Sequence, residues 1–173
     1  IHVIVYFLST SLLAGGEHKI FELGDFSLES GTSLPNAKLS YVTHGQLNAA
    51  KDNLVFVPSA YLGDHHGFDF LIEKGKALDP DKYFIVATDM FQNGLSSSPS
   101  NTPAPYNGPN FPLISIRDNV KAGHKLVTEV FGVEKIKAVV GFSMGAQQAF
   151  QWGVSYPDVV EKIVGIAGSA VEY

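Results

Sequence analysis

Ala138-Val-Val-Gly-Phe-Ser-Met-Gly-Ala-Gln-Gln148 sets a serine between two glycines at the G-x-S-x-G spacing. An apolar run (Ile136, Ala138, Val139, Val140) precedes it, and an alanine- and glutamine-rich helical stretch follows at once. The pattern predicts strand, sharp turn, helix. Such a turn holds its central residue in a strained backbone conformation, and the crowding of strand against helix favours glycine at the flanking positions. Ser143 then stands exposed at the tip. The unpaired N–H of Met144, at the helix N-terminus, points toward the space where an acyl oxygen would become negative. The bare spacing also arises where small residues gather in a structural turn. The strand before it and the helix after it are what mark it as a setting for a nucleophile.

Outward from this stretch the chain alternates strands and helices. Asn53-Leu-Val-Phe-Val-Pro58 and Tyr83-Phe-Ile-Val-Ala-Thr88 are continuous apolar runs, the pattern of strands covered on both faces, and Lys162-Ile-Val-Gly-Ile-Ala167 reads as another buried strand. A polar, glycine-rich loop, Ser59 to Gly67, follows the first of these, then a short helix around Phe68 to Leu78 that Asp79-Pro-Asp81 stops. Ser115-Ile-Arg-Asp118 has capping-box spacing and starts a helix with Ile116, Val120, Val127 and Val130 near one face, ended by Gly132. The helix after Ser143 runs to Tyr156 and is closed by Pro157-Asp158. Nearer the N-terminus, His18 to Leu28 and Ala37 to Thr43 read as an antiparallel pair joined by a turn from Glu29 to Pro35. Together these predict an α/β fold, a mostly parallel sheet with an N-terminal antiparallel hairpin and helices on both faces. The segment from Asp89 to Pro112 holds five of the nine prolines. A loop of that length is functional or disordered, and this one leaves the C-terminal end of a parallel strand, where open α/β sheets place their ligands.

At 173 residues, 45% hydrophobic and 17% charged, the chain buries a core and is no disordered tail. Its formal charge of -5 carries no basic cluster, which argues against nucleic acid as a partner. There is no cysteine, hence no disulfide and no thiolate metal site. Residues 1–16 form an apolar N-terminal segment, with 17–173 as the domain proper. The run over 1–14 is too short to span a bilayer and lacks a basic start, so it reads as a signal-peptide remnant, an extra strand or non-native sequence. A cytoplasmic location is the expectation. The chain does not start with Met, which points to a piece of a longer protein.

A serine hydroxyl needs a base to take its proton and a third group to orient that base. In this fold class the order is Ser, then Asp or Glu, then His. After Ser143 the acids are Asp158, Glu161 and Glu172, and there is no histidine: His2, His18, His44, His65, His66 and His124 all precede it. His65 or His66 is an unconventional base only at the expense of the loop's usual role as oxyanion donor. With Asp64 and Asp69 the pair also resembles a metal site, but no second ligand cluster supports one, and solvated loop histidines are the commoner case. His124 lies mid-helix beside Gly123, a packing position. The second oxyanion donor is expected at the Tyr61 N–H, with Ala60 as the neighbouring alternative; otherwise Ser59 to Gly67 merely caps a strand.

Gly141-Phe-Ser-Met-Gly-Ala-Gln-Gln-Ala-Phe-Gln-Trp152 with Tyr156-Pro-Asp158, Phe111-Pro-Leu-Ile-Ser-Ile-Arg-Asp118 and Ala77-Leu-Asp-Pro-Asp-Lys-Tyr-Phe84 resemble the homoserine O-acetyltransferase-like branch of the α/β-hydrolase superfamily. The resemblance covers roughly residues 18–170 and leaves out 1–16. It implies an α/β-hydrolase fold truncated after about the sixth strand, Ser143 as acyl nucleophile, and the amides of Tyr61 and Met144 as oxyanion hole. The acetyltransferases typically carry His-Ala-Leu-Thr-Gly-Asp where this chain has Ser59-Ala-Tyr-Leu-Gly-Asp64, and a glycine where it has Ala146. These departures point to a relative that hydrolyses esters or acylates another alcohol. The implied partners are a small-molecule ester, or an acyl-CoA with an alcohol or water; no bound cofactor, metal, membrane or nucleic acid is called for, and a homodimer is compatible. The family's catalytic Asp and His fall in a C-terminal portion beyond this chain, which would leave Ile163 to Ala167 as an open parallel edge and the chain inactive alone. The competing class is a non-catalytic binding protein that keeps the frame as a ligand pocket.

Overall fold

The computed structural model describes residues 18–170; the apolar segment 1–16 lies outside them. Six strands form one sheet: β1 (Lys19–Ser27), β2 (Ser33–His44), β3 (Leu54–Pro58), β4 (Phe84–Thr88), β5 (Ala138–Phe142) and β6 (Ile163–Ile166). Their spatial order is β1-β2-β4-β3-β5-β6. β1 pairs antiparallel with β2 and β2 with β4, while β3 pairs parallel with β4 and β5, and β5 with β6. This is the mostly parallel sheet with an antiparallel N-terminal pair that the apolar runs predict.

β2 starts earlier than expected and includes Pro35, read above as part of the turn. The tight turn is shorter, closed by the Leu28 amide on Thr32 O at 2.8 Å. Pro35 is tolerated because the register slips there: Phe26 faces Leu34 and Gly24 faces Ala37, so the proline falls at an irregularity where no ladder bond is required of it.

Every residue of β3 and β4 is buried. On one face, Phe56, Val86 and Val139 pack with Val120 and Ala122 of α1 (Ile116–Lys125), with Leu126 just after it, and with Ala149 and Trp152 of α2 (Met144–Ser155). The capping box at the start of α1 forms as the spacing predicts, the Asp118 amide donating to Ser115 Oγ and the Ser115 amide to the Asp118 carboxylate. The last turn of this helix, Leu126–Val130, widens to a π-helix.

The opposite face differs from expectation. Both α-helices lie on the first face, and the second is covered by Phe68, Ile72 and Leu78 from a segment that is not an α-helix. Residues His65–Leu71 form a 3₁₀ helix, and turns follow. Gly75, at φ +81, breaks the helical path, and Asp79 holds the next turn by accepting from the amides of Gly75 and Asp81, each at 2.9 Å. Seven or eight residues without a longer helical run are too few to sustain an α-helix by themselves. β6 is the open parallel edge that the family resemblance implies, not the buried strand that its apolar run by itself suggests: among the described residues it has no further neighbour, and Ile163, Val164 and Ile166 are exposed. No helix among the described residues is long and apolar enough to cross a membrane.

His124 occupies the packing position expected of it. Its ring stacks on Tyr156 at 3.9 Å between centroids, and a Cβ on neighbouring Gly123 would stand 2.7 Å from Phe56 Cζ. Burial holds its pKa below the ordinary histidine value. The unfolded chain therefore binds a proton that the folded chain resists. This contribution to stability is complete above an unfolded pKa of about 6.5 and is lost as pH falls through it toward the lower folded value. His124→Phe keeps the stack and removes the proton. Its urea midpoint should fall less than wild type's between about pH 7 and about pH 5.5; an equal fall would show that His124 carries none of the acid sensitivity.

Candidate active site

Ser143 has φ 52 and ψ -120. That is a costly conformation for a residue with a side chain, on the order of 1–3 kcal/mol, and persists only where the surroundings enforce it. Here they do. The Ser143 amide donates to Ile166 O of β6 at 2.9 Å, and its carbonyl accepts from Ala146 N at 2.9 Å and Gln147 N at 3.2 Å. A Cβ on Gly141 would collide with the Gly145 carbonyl, and one on Gly145 would stand 2.7 Å from Pro58 O. The two glycines are therefore needed for steric reasons at the turn itself. The serine is half-buried, and its hydroxyl makes no hydrogen bond among the described residues.

β3 and β5 are parallel neighbours, so the Ser59–Gly67 loop and the Ser143 turn leave the sheet at the same end. Gln148, buried on α2, donates from Nε2 to Ser59 O at 2.9 Å and ties the two together. Ser59 is also held by its amide on Thr88 O at 3.0 Å and by the Met90 amide on its Oγ at 2.9 Å. The Gly63 amide donates to Ala60 O at 3.0 Å, closing a tight turn over Tyr61 and Leu62, the latter at φ 59. Tyr61 and Met144 both line a cleft of about 730 Å³, with Leu62, Asp64, Met90, Gln92 and Ile116 among its other walls. Of the candidate oxyanion donors the Tyr61 amide has no acceptor among the described residues, and the Met144 amide is the first of α2, where no intrahelical acceptor exists.

No described histidine is hydrogen-bonded to this serine. His65, expected as a solvated loop residue, is instead buried, 8% exposed, with Nδ1 2.9 Å from Asp89 Oδ2. His66 is exposed and pairs with Asp69 at 2.7 Å, a hydrogen bond that raises its pKa. His18, His65 and Asp89 have ligand atoms within 4.8 Å of one another, a spacing a metal ion could bridge. Both Asp89 oxygens, however, already accept hydrogen bonds: His65 N and Asn93 Nδ2 on Oδ1, His65 Nδ1 and Ser40 Oγ on Oδ2. Gln148 and Asp89 were not singled out from sequence. The signals present in the sequence are a glutamine in register with Gly145, Ala149 and Trp152 on one side of the helix and an acid closing an apolar strand.

A family model described as alpha/beta hydrolase fold matches residues 53–173. The chain belongs to that family. Among its relatives, an ethyl acetate hydrolase from Pseudomonas veronii is 44% identical over 156 residues, which span 90% of this chain and 45% of the relative. A homoserine O-acetyltransferase from Methanobrevibacter ruminantium is 40% identical, with 89% of this chain and 35% of the relative covered. The solved structure of the acetyl esterase MekB superposes with a TM-score of 0.89 at 43% identity, over 91% of this chain and 46% of that one. The resemblance to the homoserine O-acetyltransferase-like branch therefore holds, and ester hydrolases stand beside it. The chain spans less than half the length of these relatives.

The steric reading of the turn makes a sharp prediction. Gly141→Ala drives a Cβ into backbone and should cost about 3 kcal/mol or more, at the upper end for overpacking. Gly24→Ala, at φ +64 with open space around it, should cost only about 1–2 kcal/mol. Urea unfolding of both variants compares them; equal losses would mean that the elbow is not sterically closed.

Proposed function

We propose that the whole protein is a serine esterase that cleaves small neutral esters through an acyl-Ser143 intermediate. The observation that carries this reading is the strained Ser143, followed at once by Met144, whose cleft is shared with the Tyr61–Leu62 turn; both structures are costly or irregular and have no other evident purpose. In the first half-reaction Ser143 Oγ attacks the ester carbonyl as a base takes its proton. The carbonyl oxygen, now negative, is stabilised by the N–H groups of Tyr61 and Met144, and collapse expels the alcohol. Each such donor contributes about 2.7–4 kcal/mol to transition-state stabilisation. Water then attacks the acyl-serine and regenerates the hydroxyl. In this fold class the orienting carboxylate and the base follow the nucleophile in the chain, and the relatives that this chain covers to less than half their length have room for both; no histidine lies between Ser143 and Tyr173.

Hydrolysis is favoured over transfer to an amino-acid alcohol by the cleft wall. Among its described lining residues there is no Lys or Arg to bind a carboxylate or a coenzyme phosphate, and Asp64 is the one carboxylate. The 44% identity to an ethyl acetate hydrolase supports the same choice. Transfer to an alcohol remains the second reading, supported by the homoserine O-acetyltransferase relatives; both share the acyl-enzyme.

The full-length protein should hydrolyse ethyl acetate and be labelled by an organophosphonate at Ser143, with both lost in Ser143→Ala. The 173-residue chain alone should turn over near background, about 10⁶-fold down as when a triad base is removed. Labelling at another residue, or full activity in Ser143→Ala, would exclude the acyl-serine. Robust turnover by the isolated chain would place the base upstream.

A further inference from the structure

The turn that carries Tyr61 has no strand or helix of its own to hold it, yet its far end is fixed by one buried carboxylate. Asp89, at the end of β4, is fully buried. Its Oδ1 accepts from the His65 amide at 2.9 Å and Asn93 Nδ2 at 3.1 Å; its Oδ2 accepts from His65 Nδ1 at 2.9 Å and from Ser40 Oγ. Its backbone is pinned as well, the amide donating to Ser40 O at 2.9 Å and the carbonyl accepting from Ser96 Oγ at 2.6 Å. The carboxylate is thus rigid on the sheet, and two of its four donors belong to the residue that ends the Ser59–His65 loop. Ser59, at the other end, is held by β4 and Gln148. A loop tied at both ends to a rigid sheet keeps the direction of its central amides.

We propose that Asp89, acting through His65, is a positioning residue for the oxyanion donor at Tyr61. This rests on the acyl-Ser143 reading above. Removing the His65 ring takes away one of the loop's two bonds to Asp89 and leaves only the backbone one, and replacing the carboxylate by an amide disrupts the same ring contact; the loop's far end is loosened, and the Tyr61 amide then spends less time aimed at the developing negative charge. Substrate is still bound by the cleft walls outside this loop, Leu95, Ile114 and Ile116 among them. The expected signature is therefore a fall in kcat with KM little changed, the mark of an interaction made in the transition state.

The test uses the full-length protein and steady-state hydrolysis of 4-nitrophenyl acetate. Asp89→Asn and His65→Ala should each lower kcat by about 10²-fold, the lower end for losing an oxyanion donor, with KM within about twofold. His65→Asn, whose amide nitrogen falls near the position of Nδ1, should recover most of the loss. Asp79→Asn is the control for stability alone. Asp79 is a buried carboxylate that also caps backbone amides but does not line the cleft, so this variant should lose stability and keep wild-type kcat. Amide exchange at residues 60–65, measured in the same proteins, should quicken in His65→Ala and not in Asp79→Asn. The inference is overturned if Asp89→Asn and His65→Ala keep wild-type kcat while Ser143→Ala is inactive, or if His65→Asn is as impaired as His65→Ala. Should Asp89→Asn fail to fold, the His65 pair decides. Wild-type activity in Ser143→Ala would instead remove the acyl-serine reading on which the inference stands.

Discussion

No side chain can stand between the end of β5 and the first turn of α2. At Gly141 and Gly145 a Cβ would meet backbone carbonyls, and at Gly168 it would press on Ala146 Cβ and the Ser143 carbonyl. With strand, helix and the following loop drawn this close, the residue between them must turn at positive φ, and Ser143 does so although it is not glycine. Packing of α2 against β5 and β6 supplies the force that holds it there. The result is a hydroxyl placed beyond the sheet at the head of a helix, with that helix's first amide beside it.

The complementary wall of the cleft is built by a different means. Ser59 to His65 has little regular backbone pairing, so its course depends on side-chain partners: Gln148 on the Ser59 carbonyl, Asp89 on His65, Met90 N on Ser59 Oγ. Buried polar groups are costly unless satisfied, and a network that satisfies all of them admits few alternative loop conformations. The long segment after Asp89 is ordered on the same principle. Ser96, Ser97 and Ser98 are buried, with Ser96 Oγ and Ser97 Oγ accepting from the amides of Ser40 and Lys38 in β2, so this loop is stitched back to the sheet. An aliphatic core sets where the strands lie, and these polar contacts set where the loops go.

That division explains what could be read from the amino acids alone. The glycine spacing around Ser143, the apolar runs of β3 and β4 and the capping box at Ser115 are local, since each depends on residues a few positions apart. Phe68 to Leu78 misled because Phe68 and Ile72 have helical spacing, while Gly75 and the caps at Asp64 and Asp79 decide the backbone. Pro35 misled because its tolerance depends on a register slip against β1. Asp89 was illegible for a plainer reason: its partners His65 and Ser40 lie 24 and 49 residues away, and only the fold makes them neighbours. His65, polar and beside another histidine in a glycine-rich loop, gave no sign of being buried.

Across the alpha/beta hydrolase fold family the same frame serves many reactions, so the chemistry assigned to this chain rests on one local geometry. A crystal structure of the full-length protein carrying an organophosphonate on Ser143 measures that geometry directly. The phosphoryl oxygen, standing where the oxyanion would form, should lie about 2.7–3.1 Å from both the Tyr61 and Met144 amide nitrogens. A phosphoryl oxygen turned to solvent, with the Tyr61 amide directed elsewhere, would contradict the assignment of Tyr61 to the oxyanion hole.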